Sequence, residues 1–160
     1  YLMINIVVVN WNSSSDVYTL LSSLKKSLHI DFRVIVVDNN SLKNDVMNLK
    51  VFVSFFSTLF CIKYISNTEN LGYAAGNNVA VKYLNDNALA GDILIVNPDV
   101  SFTSTALKEM IEHLDENINC AGVMIKTIDP STNKKYDYLK LKGFNTAYME
   151  TQEFFMPVYY

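Results

Sequence analysis

The chain has 160 residues, half of them apolar and 18% charged, which supports one globular domain with its own core. A net charge of −3, with no basic cluster beyond the isolated pairs Lys25-Lys26 and Lys134-Lys135, argues against a nucleic-acid binder. Two cysteines are too few for a disulfide framework, and Cys61 and Cys120 read as buried free thiols.

Ile4–Val9 is a β-branched apolar run and predicts a first strand. It stops at Asn10-Trp11-Asn12, and Ser13-Ser14-Ser15-Asp16 follows as a helix start, because these side chains accept from free backbone N–H groups. Val17, Leu20, Leu21, Leu24 and Leu28 form one helical stripe. Phe32–Val37 predicts a second strand, ending at Asp38-Asn39-Asn40-Ser41, so a strand–helix–strand rhythm is present. Over Leu42–Leu59 periodicity does not decide between a helix and a helix running into a loop. A strand is expected at Cys61–Ile65, then a polar loop at Asn67–Leu71 and a helix over Gly72–Leu84 despite Gly76.

Ile93–Val96 reads as a buried strand of a parallel sheet that ends at Asn97-Pro98-Asp99, where Pro98 has no N–H to continue the ladder. Leu107, Met110, Ile111 and Leu114 sit at the spacing of an amphipathic helix. Ala121–Ile125 is a further strand and Asp129–Asn133 a turn, and the last 25 residues are aromatic-rich without clear periodicity. His113 belongs on the surface or boundary of its helix, and neither it nor His29 has metal-ligand spacing. No signal peptide is read, and the apolar run Val51–Ile62 falls short of the ~20 residues that span a bilayer, so a cytoplasmic protein is expected.

Three of these strands end in polar or acidic residues: Asn10-Trp11-Asn12, Asp38-Asn39-Asn40-Ser41 and Asn97-Pro98-Asp99. In an open parallel sheet, ligands gather at the carboxyl ends of the strands. Asp38 and Asp99 would then flank one cleft. Asp38 could accept from a base N–H or a hydroxyl, Trp11 offers a flat face for stacking, and Asp99 could hold Mg²⁺ or Mn²⁺ against phosphate oxygens. Each also has a plain structural role: Trp11 as core, Asp38 as a helix cap, Asp99 as a turn former. The loop Asn70–Asn78 adds Gly72 and Gly76, which permit close backbone approach at a helix start, but it is neither a dinucleotide fingerprint nor a Walker loop.

The set Val-Val-Val-Asn-Trp-Asn, Val-Val-Asp-Asn-Asn-Ser, Glu-Asn-Leu-Gly-Tyr-Ala-Ala-Gly-Asn-Asn and Val-Asn-Pro-Asp-Val, in this order, resembles family 2 glycosyltransferases of the GT-A fold, and within them the rhamnosyltransferase-like group. The resemblance spans roughly residues 3–130. It implies a Rossmann-like α/β/α three-layer sandwich with a mainly parallel sheet, with residues 1–160 as one such domain. It implies a nucleotide-sugar donor, UDP- or dTDP-linked, near Asn10, Trp11, Asn12, Asp38 and Asn40, with Asn70, Gly72 and Gly76 lining the pocket. Asn97 and Asp99 match the family's Asp-x-Asp motif. Asp99 takes the metal position, and Asn97 replaces the first carboxylate by an uncharged amide that still reaches a ribose hydroxyl.

The implied reaction is an inverting displacement onto a saccharide or lipid-linked acceptor in bacterial surface-polysaccharide synthesis, with peripheral membrane association compatible with it. The family's general base lies in a later segment rich in Phe, Glu and Asp. Glu153-Phe154-Phe155 has only a faint likeness to it, so the chain is expected to hold the donor half and to end before the base. The rival reading is a catalytically incomplete nucleotide-sugar-binding module. A nucleotidyltransferase would need a Gly-rich basic loop after the first strand, and a dehydrogenase a dinucleotide fingerprint there; Asn-Trp-Asn-Ser-Ser-Ser supplies neither.

Overall fold

A computed structural model describes residues 3–27 and 29–116. In chain order these form β1 (Ile4–Asn10), α1 (Ser14–Leu24), a short 3₁₀ turn (Lys25–Ser27), β2 (Phe32–Asp38), α2 (Lys43–Phe56), β3 (Cys61–Ser66), α3 (Gly72–Asp86), β4 (Asp92–Val96) and α4 (Ala106–Glu116). The chain divides into two compact units at Ser104, so that α4 belongs to the second. In α4, Leu107 and Met110 are buried and begin the stripe expected from the sequence. Ala121–Ile125, the turn at 129–133, Cys120 and the aromatic tail lie outside the described residues.

The four strands are all parallel, in the order β3-β2-β1-β4. Each connection between them carries a helix, as a parallel pair requires. β1 and β2 are central and covered on both faces, and every residue of β1 is buried. That is why their sequences are unbroken β-branched runs rather than alternations.

The side-chain period of two assigns the faces. Val7, Val9, Ile35 and Val37 pack against Ala80 and Leu84 of α3. The alternate residues, among them Phe32, turn to the layer of α1 and α2, where Phe32 meets Phe60 at 5.1 Å and Phe60 stacks on Phe56 of α2 at 5.9 Å. Tyr18 of α1 packs on Phe52 and Phe56 at 4.9 and 5.6 Å and joins the two helices.

Two expectations are corrected. Ile93–Val96 is not a fully buried strand: only Val96 is buried, and Ile93 is 42% exposed. β4 ends the strand order among the described residues, and α3 lies mainly over β1 and β2, so the β4 face is thinly covered. Cys61 is exposed rather than buried, because it opens the other end strand, β3. The undecided stretch from Leu42 is helical over Lys43–Phe56. Its inner stripe is Leu49, Val53 and Phe56, while Met47, Val51 and Phe55 are exposed. Apolar residues therefore occupy both faces, and this erased the periodic signal.

Candidate functional site

β1, β2 and β3 run one residue further than their apolar runs, and the extra residues are polar. Asn10 pairs with Asp38 across β1–β2, and Asp38 with Ser66 across β2–β3. One lateral row, Asn10–Asp38–Ser66, therefore closes the carboxyl edge of the sheet on the α1/α2 face. Asn39 N–H donates to Asn10 C=O and Asn67 N–H to Asp38 C=O, both at 2.8 Å, which extends the ladder into the loops.

Asn10 is fully buried. Its Nδ2 group donates to Asp38 Oδ1 (3.1 Å), Ser41 Oγ (3.0 Å) and Asp45 Oδ2 (2.8 Å), so two hydrogens serve three acceptors. Its Oδ1 accepts from the Ser13 N–H at 3.3 Å and the Ser13 hydroxyl at 3.1 Å. Asp38 is 1% exposed, so its carboxylate is spent on this network and not presented openly at the edge. Beside it lies the buried Tyr64 hydroxyl. Burial pushes the Tyr64 pKa up, and the Asp38 charge adds to this while Ser66 pulls the other way.

Trp11 stands outside the network, and Asn12 joins it through Ser41. Trp11 is 58% exposed and is not a core residue. Asn12 and Asn40 have φ of +55° and +63°, in the left-handed region that asparagine tolerates better than most residues. Asn12 N–H donates to Ser41 Oγ at 2.9 Å, and Asn12 Oδ1 accepts from Leu42 N–H at 2.7 Å. The loops after β1 and β2 are thereby tied together. An open depression of about 500 Å³ lies on the α2 flank, lined by Asn12, Leu42, Lys43, Asn44, Asp45 and Asn48.

A second hub is Asn39, 2% exposed, a residue the sequence reading passed over. Its Nδ2 donates to Asn70 Oδ1 (2.8 Å) and Gly72 C=O (3.1 Å). Its Oδ1 accepts from Asn67 Nδ2 (3.0 Å) and Leu71 N–H (3.1 Å). All four bonding sites of its amide are used, and they set the loop that opens α3. Asn70 Oδ1 also accepts from Gly72 N–H at 2.9 Å. Gly72 has φ +79°, and Gly76 is buried against Val9.

β4 delivers Asn97 and Asp99, both exposed, on the other side of β1 from Asp38. Val100 N–H bonds to Asn97 C=O at 3.3 Å, so Asn97–Val100 is a turn as well as the end of a strand. Burial raises the pKa of Tyr73, in the first turn of α3; Asn77 opposes this and the Asp99 charge adds to it. The start of α3 and the turn after β4 are thus electrostatic neighbours. Asp38 and Asp99 share one edge, but two strand spacings, about 10 Å, separate their strands.

Asp45 is the other residue that the sequence reading missed. Its carboxylate accepts from Ser14 N–H (2.9 Å) as well as from Asn10. Burial works to raise its pKa. Hydrogen bonds from the Ser14 side chain, Asn10, the Ser14 backbone and Ser41 outweigh that, and hold it below the usual 3.8. No group of three or more metal-ligating side chains occurs among the described residues. No helix among them is long and apolar enough to cross a membrane.

The sequence pattern of glycosyl transferase family 2 matches residues 5–159. The low-salt glycan biosynthesis hexosyltransferase Agl10 of Haloferax volcanii is 28% identical over 107 residues, which is 67% of this chain and 31% of that protein. In structure, S. aureus TarS 1-349 in complex with UDP-GlcNAc superposes with a TM-score of 0.63 at 23% identity, over 79% of this chain and 34% of that one. The mannosyltransferase PcManGT of Pyrobaculum calidifontis, in complex with GDP-Man and Mn²⁺, superposes at 0.67 with 17% identity, over 81% and 36%. The present chain thus spans about a third of the length of each of these proteins. The superpositions show a shared architecture, the GT-A type of α/β fold. With the family pattern matched across nearly its whole length, the chain belongs to glycosyl transferase family 2.

Proposed function

We propose that this chain is the donor-binding part of a transferase that moves a sugar from a nucleoside diphosphate to a saccharide or lipid-linked acceptor in surface-glycan synthesis. One observation carries the reading. Parallel strands β2, β1 and β4 end side by side in Asp38, Asn10-Trp11-Asn12 and Asn97-Pro98-Asp99, with loops locked by side-chain hydrogen bonds. Trp11 is the stacking face for the base, Asn12 and Asn40 border it, and Asn97 reaches a ribose hydroxyl. Asp38, through Asn10, holds the floor of the base site, and Asn70, Gly72 and Gly76 shape its wall. UDP- and GDP-linked donors in the structural relatives support a nucleotide-sugar ligand, and the reading extends to a UDP- or dTDP-linked donor.

The residues fit a divalent cation of the Mg²⁺ or Mn²⁺ kind. Asp99 is a single exposed carboxylate, and such ions are bound through one or two carboxylates with substrate phosphates and water completing the shell. When bound, the ion supplies charge neutralisation for the departing diphosphate. The chain's own residues orient the donor, with Trp11 on the base and Asn97 on the ribose. No general base is assigned, since Glu153-Phe154-Phe155 lies outside the described residues.

The test is calorimetric titration of the folded chain with UDP, dTDP and GDP, each with and without Mn²⁺. Metal-dependent binding of one nucleotide is expected. A folded chain that binds none of them overturns the reading. Nucleotide binding by a longer form of the protein that transfers no sugar to any acceptor would favour the incomplete binding module instead.

A further inference from the structure

The loop between β1 and α1 carries Trp11 and Asn12, and its own bonds, from the Ser13 N–H and hydroxyl to Asn10 Oδ1, are only part of what holds it. Asn12 sits at φ +55°, and Ser13, the residue that caps α1, makes no side-chain capping bond. A residue held in a sparsely populated backbone region persists only where its surroundings over-determine it. Here the remaining support comes from the segment that opens α2 and from the first turn of that helix. Asp45, in the first turn of α2, accepts from Asn10 Nδ2 at 2.8 Å and from the Ser14 N–H at 2.9 Å. The two residues it grips bracket Trp11, Asn12 and Ser13, one at the end of β1 and one at the start of α1. The same carboxylate supplies negative charge to the α1 N-terminus that Ser13 leaves uncapped.

We propose that Asp45 is a positioning residue for donor binding: by clamping Asn10 and Ser14 it fixes the loop that presents Trp11 and Asn12. The proposal rests on the donor-site reading above. Asp45 itself touches no ligand in it. The contacts of Asn12 with Ser41 and Leu42 then set the second edge of the same loop, and the clamp keeps both edges in one register. A hydrogen-bonded carboxylate suits this task better than a neutral cap, because it accepts two strong bonds at once from donors on two elements.

The chain has one tryptophan, so Trp11 fluorescence reports the loop directly. Asp45→Ala removes the clamp. Asp45→Ala with Ser15→Asp restores negative charge in the exposed first turn of α1 without touching Asn10 or Ser13 and without tying the loop to α2. Both are compared with the parent for thermal midpoint, Trp11 anisotropy and calorimetric affinity for UDP and GDP with Mn²⁺. The double variant is expected to regain most of the lost thermal stability. Its Trp11 anisotropy should stay low and its nucleotide affinity about tenfold weak, equivalent to about 1.4 kcal/mol. Affinity that recovers together with stability would make Asp45 only a helix cap and overturn the proposal. Loss of fold in both variants would overturn it too, as a residue of the fold and not of the site. A folded parent that binds no nucleotide brings down the donor-site reading and this proposal with it, and that outcome shows in the parent alone.

Discussion

Gly76 of α3 lies so close to Val9 of β1 that a β-carbon there would stand 3.0 Å from Val9 Cγ1 and 3.2 Å from Cγ2. Val9 immediately precedes Asn10, and Asn39 Nδ2 is 3.6 Å from the same point. The helix therefore rests on the strand end that carries the site. Gly76→Val should destabilise the chain by about 1–3 kcal/mol through overpacking. It should weaken nucleotide binding along with it, whereas Gly76→Ala should be milder. Thermal melts of both variants check this, and an unchanged midpoint for Gly76→Val would refute the packing role.

Asn39→Ala empties a buried position and removes four hydrogen bonds at once, to the Asn70 side-chain carbonyl, the Gly72 carbonyl, the Asn67 amide and the Leu71 N–H. The expected cost is about 2 kcal/mol or more. Hydrogen exchange should show the loss concentrated at the start of α3, at Leu71 and Gly72. Uniform loss across the sheet would contradict the assignment of Asn39 to that loop.

Asp45 gives the protein an acid-sensitive element. Its folded pKa is held below the ordinary 3.8, because its hydrogen bonds outweigh burial. The carboxylate therefore contributes stability above that ordinary value, and the contribution is lost as pH falls through the lower folded pKa. Denaturant unfolding of the parent and of Asp45→Asn should converge as pH drops from 6 to 2. Curves that stay parallel over this range would show that Asp45 does not titrate with folding.

Asp99 and Trp11 are exposed and make few internal contacts, so removing them should change stability by no more than about 0.5 kcal/mol. Asp99→Ala should abolish the Mn²⁺-dependent part of nucleotide binding. Trp11→Ala should weaken binding by about 1–3 kcal/mol, the usual worth of one aromatic–base stack, with or without the ion. If Asp99→Ala binds nucleotide as tightly as the parent in Mn²⁺, the metal assignment fails.

Much of this architecture is legible in the residues alone. Runs such as Ile4–Val9 and Phe32–Val37 announce central parallel strands, because only a strand covered on both faces can be apolar at every position. The polar residues that follow mark the carboxyl edge. The identity of the edge residues also carried the family resemblance, and the matched family pattern bears that out. α2 was less legible, since Met47, Val51 and Phe55 add an exposed apolar face to the buried one.

Two kinds of property escaped the sequence for physical reasons. Burial of Cys61 and Ile93 depends on which strands stand at the ends of the order β3-β2-β1-β4 and on where α3 lies, and both are decided by how separate segments assemble. The partners of Asn39 and Asp45 are equally non-local. Asparagine and aspartate after a strand read as turn formers in any sequence, and only the folded chain brings Asn70 within 2.8 Å of Asn39 and Asn10 within 2.8 Å of Asp45. The sequence by itself determined the strands, their polar ends and the chemistry gathered there. The tertiary structure decided which polar residues stay exposed at the sheet edge and which hold the loops, because a hydrogen bond is specified by position in space and not by position in the chain.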